Sequence, residues 1–296
     1  LFAFCIVCKD RGDAMEKLAV LGLGLIGGSL GLALQQAGVA KHISGYDSDQ
    51  SSTYQAWKIG AITEICVKAE NAVEEADMVI LATPILAMRE LLERIAPRLK
   101  RGVLVTDTAS TKVQILKWAT TSLPAHVTFV GGHPMAGREL SGIQAAEAGL
   151  FEGCAYCVIP TGHRITDGVE QLSEIVMKLG AHPLILDADR HDRLVAGISH
   201  LPFMLSSTLV QCLNKKENWG ELTNLAAGGF RDMSRLAAGS PSMYRDICVT
   251  NKEEILFWLD AMASELDNIR ALVTLDEVVL ESYFTQAQQL RETAFS

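Results

Sequence analysis

Four short stretches of the chain carry residue types whose spacing can do chemistry. Gly22-Leu23-Gly24-Leu25-Ile26-Gly27 fits the pattern G-x-G-x-x-G. In such a loop the first glycine makes a tight turn, the second lets a pyrophosphate approach the backbone, and the third lets helix and strand pack closely. An apolar β-rich run precedes it and a helical run, SLGLALQQAG, follows. Leu25, Ile26 and Gly27 therefore stand where a helix N-terminus offers free N–H groups to phosphate. Asp47 follows Gly27 by 20 residues and ends the next strand. A carboxylate there would accept hydrogen bonds from ribose hydroxyls and repel a 2′-phosphate, which favours NAD over NADP. The same Asp47 also suits the Asp-Ser-Asp turn in which it lies.

The other three stretches also fall at expected strand ends, where open α/β sheets bind their ligands. They are Thr83-Pro84, Asp107-Thr108-Ala109-Ser110-Thr111-Lys112 and Gly131-Gly132-His133-Pro134-Met135-Ala136-Gly137. The glycine pair permits close backbone approach, and Pro134 confines His133 to extended geometry. A histidine so aimed suits general-base work near neutral pH. Ser110 could assist at the same site, or either it or Thr111 could cap the helix that follows.

These residues require a scaffold of alternating strands and helices. Strands are expected at 18–22, 43–47, 78–82, 102–106, 127–131, 155–160 and 183–187, and helices at 27–37, 85–99, 111–122 and 168–180. After residue 187 the strand signal stops. Helices are expected at 189–213, kinked at Pro202, and near 219–227, 241–250, 251–272 and 275–293. The fold class is α/β: an N-terminal Rossmann-like doubly wound parallel sheet over 15–187, followed by an all-α dimerisation domain over 188–296. The slender helical half buries little by itself, so a homodimer is expected through it. Residues 1–14 read as an extension upstream of a start at Met15.

The chain has 296 residues, 26 Lys and Arg, 35 Asp and Glu, and a formal net charge of −9. That balance argues against nucleic acid and anionic membranes as partners, while a few cleft arginines could still hold a small anionic substrate. No uninterrupted apolar run reaches the roughly 18 residues of a membrane span. Seven cysteines do not suggest a secreted disulfide framework, and the cytosol is the expected compartment. Cys5/Cys8 and Cys154/Cys157 have C-x-x-C spacing, but the second pair lies in a strand-like run where residues three apart face opposite ways. No metal site is expected.

Taken together, VLGLGLIGGSL, ATP, DTASTK, GGHPMAG, SHLP at Ser199–Pro202, GGFRDMSR at Gly228–Arg235 and PSMYRDI resemble the prephenate/arogenate dehydrogenase family of tyrosine biosynthesis. The resemblance implies NAD-dependent oxidative decarboxylation of prephenate, arogenate or both. It implies that His133 is the catalytic histidine on the ring C4 hydroxyl, assisted by Ser110. By the same resemblance His200 and Arg235 contact the substrate, with Arg235 as a carboxylate anchor. Glu139 and Asp232 match acidic positions near the pocket mouth, and Tyr244 falls where some members have tryptophan. Lys112, Arg231 and Arg245 match motif positions without an assigned role. Two alternatives stand beside this reading. A β-hydroxyacid dehydrogenase of similar build typically needs a lysine on the long helix, and 188–213 contains none. A non-catalytic dinucleotide sensor would not require His133, Ser110 and an arginine-rich segment.

Overall fold

The computed structural model of the chain describes residues 14–137, 140–162, 165–275 and 277–295. The elements in order are β1 (Met15–Leu21), α1 (Leu25–Gln36), β2 (Ala40–Tyr46), α2 (Gln50–Lys58), β3 (Glu64–Ile65), α3 (Ala69–Val73), β4 (Met78–Leu81) and α4 (Ile85–Ile95). There follow β5 (Leu104–Asp107), α5 (Val113–Ser122), β6 (Thr128–Pro134), β7 (Ala155–Pro160), α6 (Asp167–Lys178) and β8 (His182–Ile185). The helical half consists of α7 (Ala188–Val195), a π turn (Ala196–His200), α8 (Leu201–Lys216), α9 (Trp219–Asn224), α10 (Gly228–Ser234), a 3-10 turn (Arg235–Ala238), α11 (Pro241–Thr250), α12 (Lys252–Leu275) and α13 (Glu277–Ala294).

The eight strands form one sheet in the order β3-β2-β1-β4-β5-β6-β7-β8. Central strands are buried on both faces, as a parallel sheet covered by helices demands. In β1, Leu18 and Val20 join the core layer beneath α1, α2 and α6, whereas Ala19 and Leu21 join the layer beneath α3, α4 and α5. Strand order reverses between β1 and β4, so the crevice for a ligand opens beyond their carboxyl ends.

Two features of the sheet differ from the sequence reading. β7 runs antiparallel to β6, pairing His133 with Cys157 and Pro134 with Tyr156. A parallel return needs a crossover of a dozen or more residues, usually a helix. Here the β6–β7 connection contributes short 3-10 turns at Ile143–Ala145 and Ala148–Phe151 that lie on α1. The second difference is β3, an exposed two-residue edge strand too short to carry a periodic signal. β6 also runs on through Pro134, so the histidine motif belongs to the strand itself.

The helical half docks on one core layer through Ala196, Ile247 and Ile255. Pro202 lies at the start of α8. Lacking an N–H, it cannot donate to the preceding turn, and the helix passes this point through the π turn. The rod Ala188–Lys216 is long and apolar enough, by length and composition, to cross a membrane. It nevertheless begins with the buried residues His191 and Asp192 packed at the sheet domain.

Candidate functional site

Gly22 leaves β1 with φ +96°, and a Cβ there would lie 2.5 Å from the Ala82 carbonyl oxygen. No L side chain satisfies both conditions. A Cβ on Gly27 would meet the Gly22 oxygen at 1.8 Å, whereas one on Gly24 meets nothing within 4 Å. The loop is therefore closed against the sheet and open in front of α1. The first-turn N–H groups of Leu25, Ile26 and Gly27 have no intrahelical carbonyl, and no acidic residue in that turn opposes an anion.

Asp47 ties this loop down. Its Oδ2 accepts from Leu23 N at 2.7 Å and its Oδ1 from Asp49 N at 2.9 Å. The turn role and a ribose role are compatible, since Oδ2 keeps a second lone pair beyond its bond from Leu23 N. Across the switch point, Thr83 keeps a buried hydroxyl without a hydrogen-bond partner, and Pro84 precedes the first turn of α4. An orphaned polar atom beside an open glycine loop suits a polar ligand. The residues at this crevice fit a dinucleotide.

His133 lies near the carboxyl end of β6 and is 9% exposed. The neighbouring Gly132 is necessary, because a Cβ there would stand 2.4 Å from the Asp107 carbonyl. Lys112 is fully buried and clamps the two motifs together. Its Nζ donates to Asp107 Oδ2 and, at 2.7 Å, to the Gly132 carbonyl, while Gly132 N donates to Asp107 Oδ1. Burial pushes the Lys112 ammonium pKa down and Asp107 pulls it back up. The Asp107 motif and the His133 strand are thus locked through a buried ion pair.

The His133 ring has a partner from the helical half. Its Nδ1 lies 2.9 Å from His191 Nε2, and His191 Nδ1 lies 2.8 Å from Asp192 Oδ1. Asp192 also accepts from Lys112 N at 2.7 Å and Val113 N at 2.9 Å. It supplies the N-terminal cap of α5 from 80 residues away, so neither Ser110 nor Thr111 fills that place. Thr111 bonds Thr250 instead, and Ser110 is half-buried. Burial, then repulsion from His191, Lys112 and His200, holds the His133 pKa well below the ordinary imidazole value. A neutral imidazole on a strand end is equipped to take a proton.

The remaining residues expected at a substrate site are spread more widely. His200 ends the π turn, is 1% exposed, approaches Asn251 Nδ2 at 3.5 Å through Nδ1, and leaves Nε2 unpartnered. Burial first lowers its pKa to about 4, with Asp192 opposing and His191 adding to the fall. It belongs to the buried histidine cluster at the domain junction. Tyr244 stacks on Phe203 with ring centroids 3.3 Å apart and planes within 6°. Asp232 and Arg235 are exposed on the α10 segment, which packs on α8. Glu139 lies outside the described residues.

Three polar residues here were not anticipated: His191, Asp192 and Asn251, whose Nδ2 donates to the Asp192 carbonyl at 2.8 Å. The adjacent His-Asp pair just past the last strand was the available signal. Its partner, His133, is 58 residues earlier.

Known proteins resemble this chain over most of its length. A family model described as "Prephenate dehydrogenase, nucleotide-binding domain" matches residues 30–185, and one described as "Prephenate dehydrogenase, dimerization domain" matches residues 187–290. A prephenate dehydrogenase of Bacillus subtilis is 37% identical over 280 residues, 94% of this chain and 76% of that protein. The cyclohexadienyl dehydrogenase of Zymomonas mobilis is 30% identical over 93% of this chain and 95% of its own. Among solved structures, prephenate dehydrogenase from A. aeolicus in complex with hydroxyphenyl propionate and NAD+ superposes with a TM-score of 0.90 at 27% identity, covering 96% of this chain and all of that one. The Synechocystis arogenate dehydrogenase gives 0.80 at 31% identity, covering 94% and 99%. With both halves of the chain matched, and a relative 37% identical over most of its length, the protein belongs to the prephenate dehydrogenase family.

Proposed function

We propose that the chain catalyses the NAD-dependent oxidative decarboxylation of prephenate, of its amino analogue arogenate, or of both, with His133 as general base. One observation carries the reading: a buried imidazole, held neutral, stands at the carboxyl end of β6 in the sheet that bears an open glycine loop. Gly22, Gly24, Leu25, Ile26, Gly27, Asp47, Thr83 and Pro84 would hold the dinucleotide, which supplies the hydride acceptor when bound.

The substrate class explains the remaining parts. Oxidising an alcohol para to a ring carboxylate creates a vinylogous β-keto acid, which loses carbon dioxide as the ring becomes aromatic. No step of that sequence needs a metal. The protein must remove the hydroxyl proton and hold a dianion in place. His133 takes the proton, and by the resemblance Ser110 assists from the loop after β5. Arg235 serves as a carboxylate anchor, because its planar fork donates two parallel hydrogen bonds. His200, Glu139, Asp232 and Tyr244 complete the substrate-binding set by resemblance. We further propose that the enzyme is cytosolic and that it is a homodimer joined through its helical half, the latter supported by the "dimerization domain" match.

The test is a spectrophotometric assay of reduced nicotinamide with both substrates and both cofactors. Turnover with NAD is expected on at least one substrate, with weaker turnover on NADP. His133→Asn should lower kcat by about 10²–10⁴-fold with KM little changed. A large KM rise at unaltered kcat would remove His133 from the base role.

A further inference from the structure

We propose that His191 and Asp192 act as a positioning relay that fixes the tautomer of His133, so that its Nε2 is the unprotonated nitrogen offered to the substrate hydroxyl. The inference rests on reading His133 as the base, and it deepens that reading by explaining how the ring is prepared.

The argument starts from Asp192. Its carboxylate accepts from the backbone N–H groups of Lys112 and Val113 at 2.7 and 2.9 Å, and a carboxylate is an acceptor only. His191 Nδ1, 2.8 Å from the same carboxylate, must therefore carry a hydrogen and donate it. The opposite tautomer would set a nitrogen lone pair against a carboxylate oxygen in a site where His191 is 0% and Asp192 2% exposed. With Nδ1 protonated, neutral His191 has a lone pair on Nε2. That atom lies 2.9 Å from His133 Nδ1, which must then be the donor. Neutral His133 is left with its own lone pair on Nε2. Each hydrogen bond dictates the next, and the direction is set where Asp192 grips the N-terminus of α5.

During the reaction the hydroxyl O–H bond breaks and an N–H bond forms at His133 Nε2. The positive charge that appears on His133 has its Nδ1–H directed at His191, with the Asp192 carboxylate behind. No proton passes along the relay. Its contribution is orientation and electrostatic support. The two histidine rings also meet edge to face, with centroids 5.1 Å apart and planes at 70°, which steadies the His133 ring plane.

The experiment compares His191→Phe, His191→Gln and Asp192→Asn in the full-length enzyme. Phenylalanine fills similar space without an acceptor. Glutamine can place its amide oxygen near the position of Nε2. Asparagine keeps its oxygen at the Oδ1 position that Lys112 N and His191 Nδ1 share, but gives up the acceptor for Val113 N and removes the negative charge behind the relay. We expect kcat to fall about ten- to hundredfold in His191→Phe and Asp192→Asn, with both substrate KM values within threefold of the parent and a clear recovery in His191→Gln. Imidazole ¹⁵N shifts should show His133 protonated on Nδ1 in the parent and shifted toward Nε2 in His191→Phe, where the acceptor for Nδ1–H is gone, a change that loss of packing alone does not produce. Parental kcat in folded His191→Phe, alongside an inactive His133→Asn, overturns the relay and leaves the base assignment standing. An active His133→Asn overturns the base assignment itself. If His191→Phe fails to fold, a parent His133 found protonated on Nε2 rather than Nδ1 is decisive against the relay.

Discussion

On the proposed reading His133 must be neutral before it can accept a proton, and its surroundings then set the acid limit of the enzyme. Burial is the first cause of its low pKa, and the groups that add to it come from three elements: His191 on α7, Lys112 at the start of α5, and His200 in the π turn. All act in one direction, against the imidazolium. The folded-state pKa therefore lies below the ordinary value of about 6.5. The profile of kcat/KM against pH, which reports groups of the free enzyme, should be flat downward through neutrality and begin to fall only below about pH 6.5. An acid limb centred above pH 7 would contradict the burial argument. At this scale the sequence was informative about His133 and silent about its neighbours. Pro134 and the glycine pair mark His133 locally, whereas His191 and Asp192 acquire meaning only when α7 docks beside β6.

At the scale of the element, the glycine loop separates two demands that the motif merges. Gly22 is required by the fold, since its φ of +96° and the 2.5 Å approach to Ala82 exclude a side chain. Gly24 has open space where its Cβ would be, so the fold does not require glycine there, and on the proposed reading the dinucleotide does. Gly22→Ala should therefore lower thermal stability, by about 1–3 kcal/mol, together with NAD affinity. Gly24→Ala should leave the melting temperature near that of the parent while weakening NAD binding tenfold or more. Calorimetric unfolding beside a titration with NAD distinguishes the two, and equal stability losses would refute the division. Helix α5 shows the opposite limit of legibility. Its start was placed close to the observed one, but its cap is Asp192, which no pattern within the segment could reveal.

For the whole molecule, the helical half poses the question of what covers it. Helix α12 has 24 residues and buries Ile255, and α13, with 18 residues, buries none of its described residues in the single chain. Leu266 is 57% and Phe284 53% exposed. Apolar surface of this extent on long helices is characteristic of an interaction face, and a second copy is the occupant we propose. Introducing Leu266→Glu with Phe284→Glu should convert a dimer to a monomer in sedimentation equilibrium. A parent enzyme that sediments as a monomer at micromolar concentration would dismiss the interface outright.

The sequence by itself determined the parts whose cause is local. Glycine spacing, apolar strand runs and helical periodicity obey sterics and solvation over a few residues, and they were enough to place the glycine turn after β1, the parallel βα units and the helical second half. The tertiary structure alone decided the rest: β7 turning antiparallel, Lys112 buried between two motifs, the π turn before Pro202, and the His133–His191–Asp192 chain joining a strand to a helix of the other half. These depend on which surfaces meet after long loops close, and a buried polar group takes its partner from whatever that packing brings within hydrogen-bond reach.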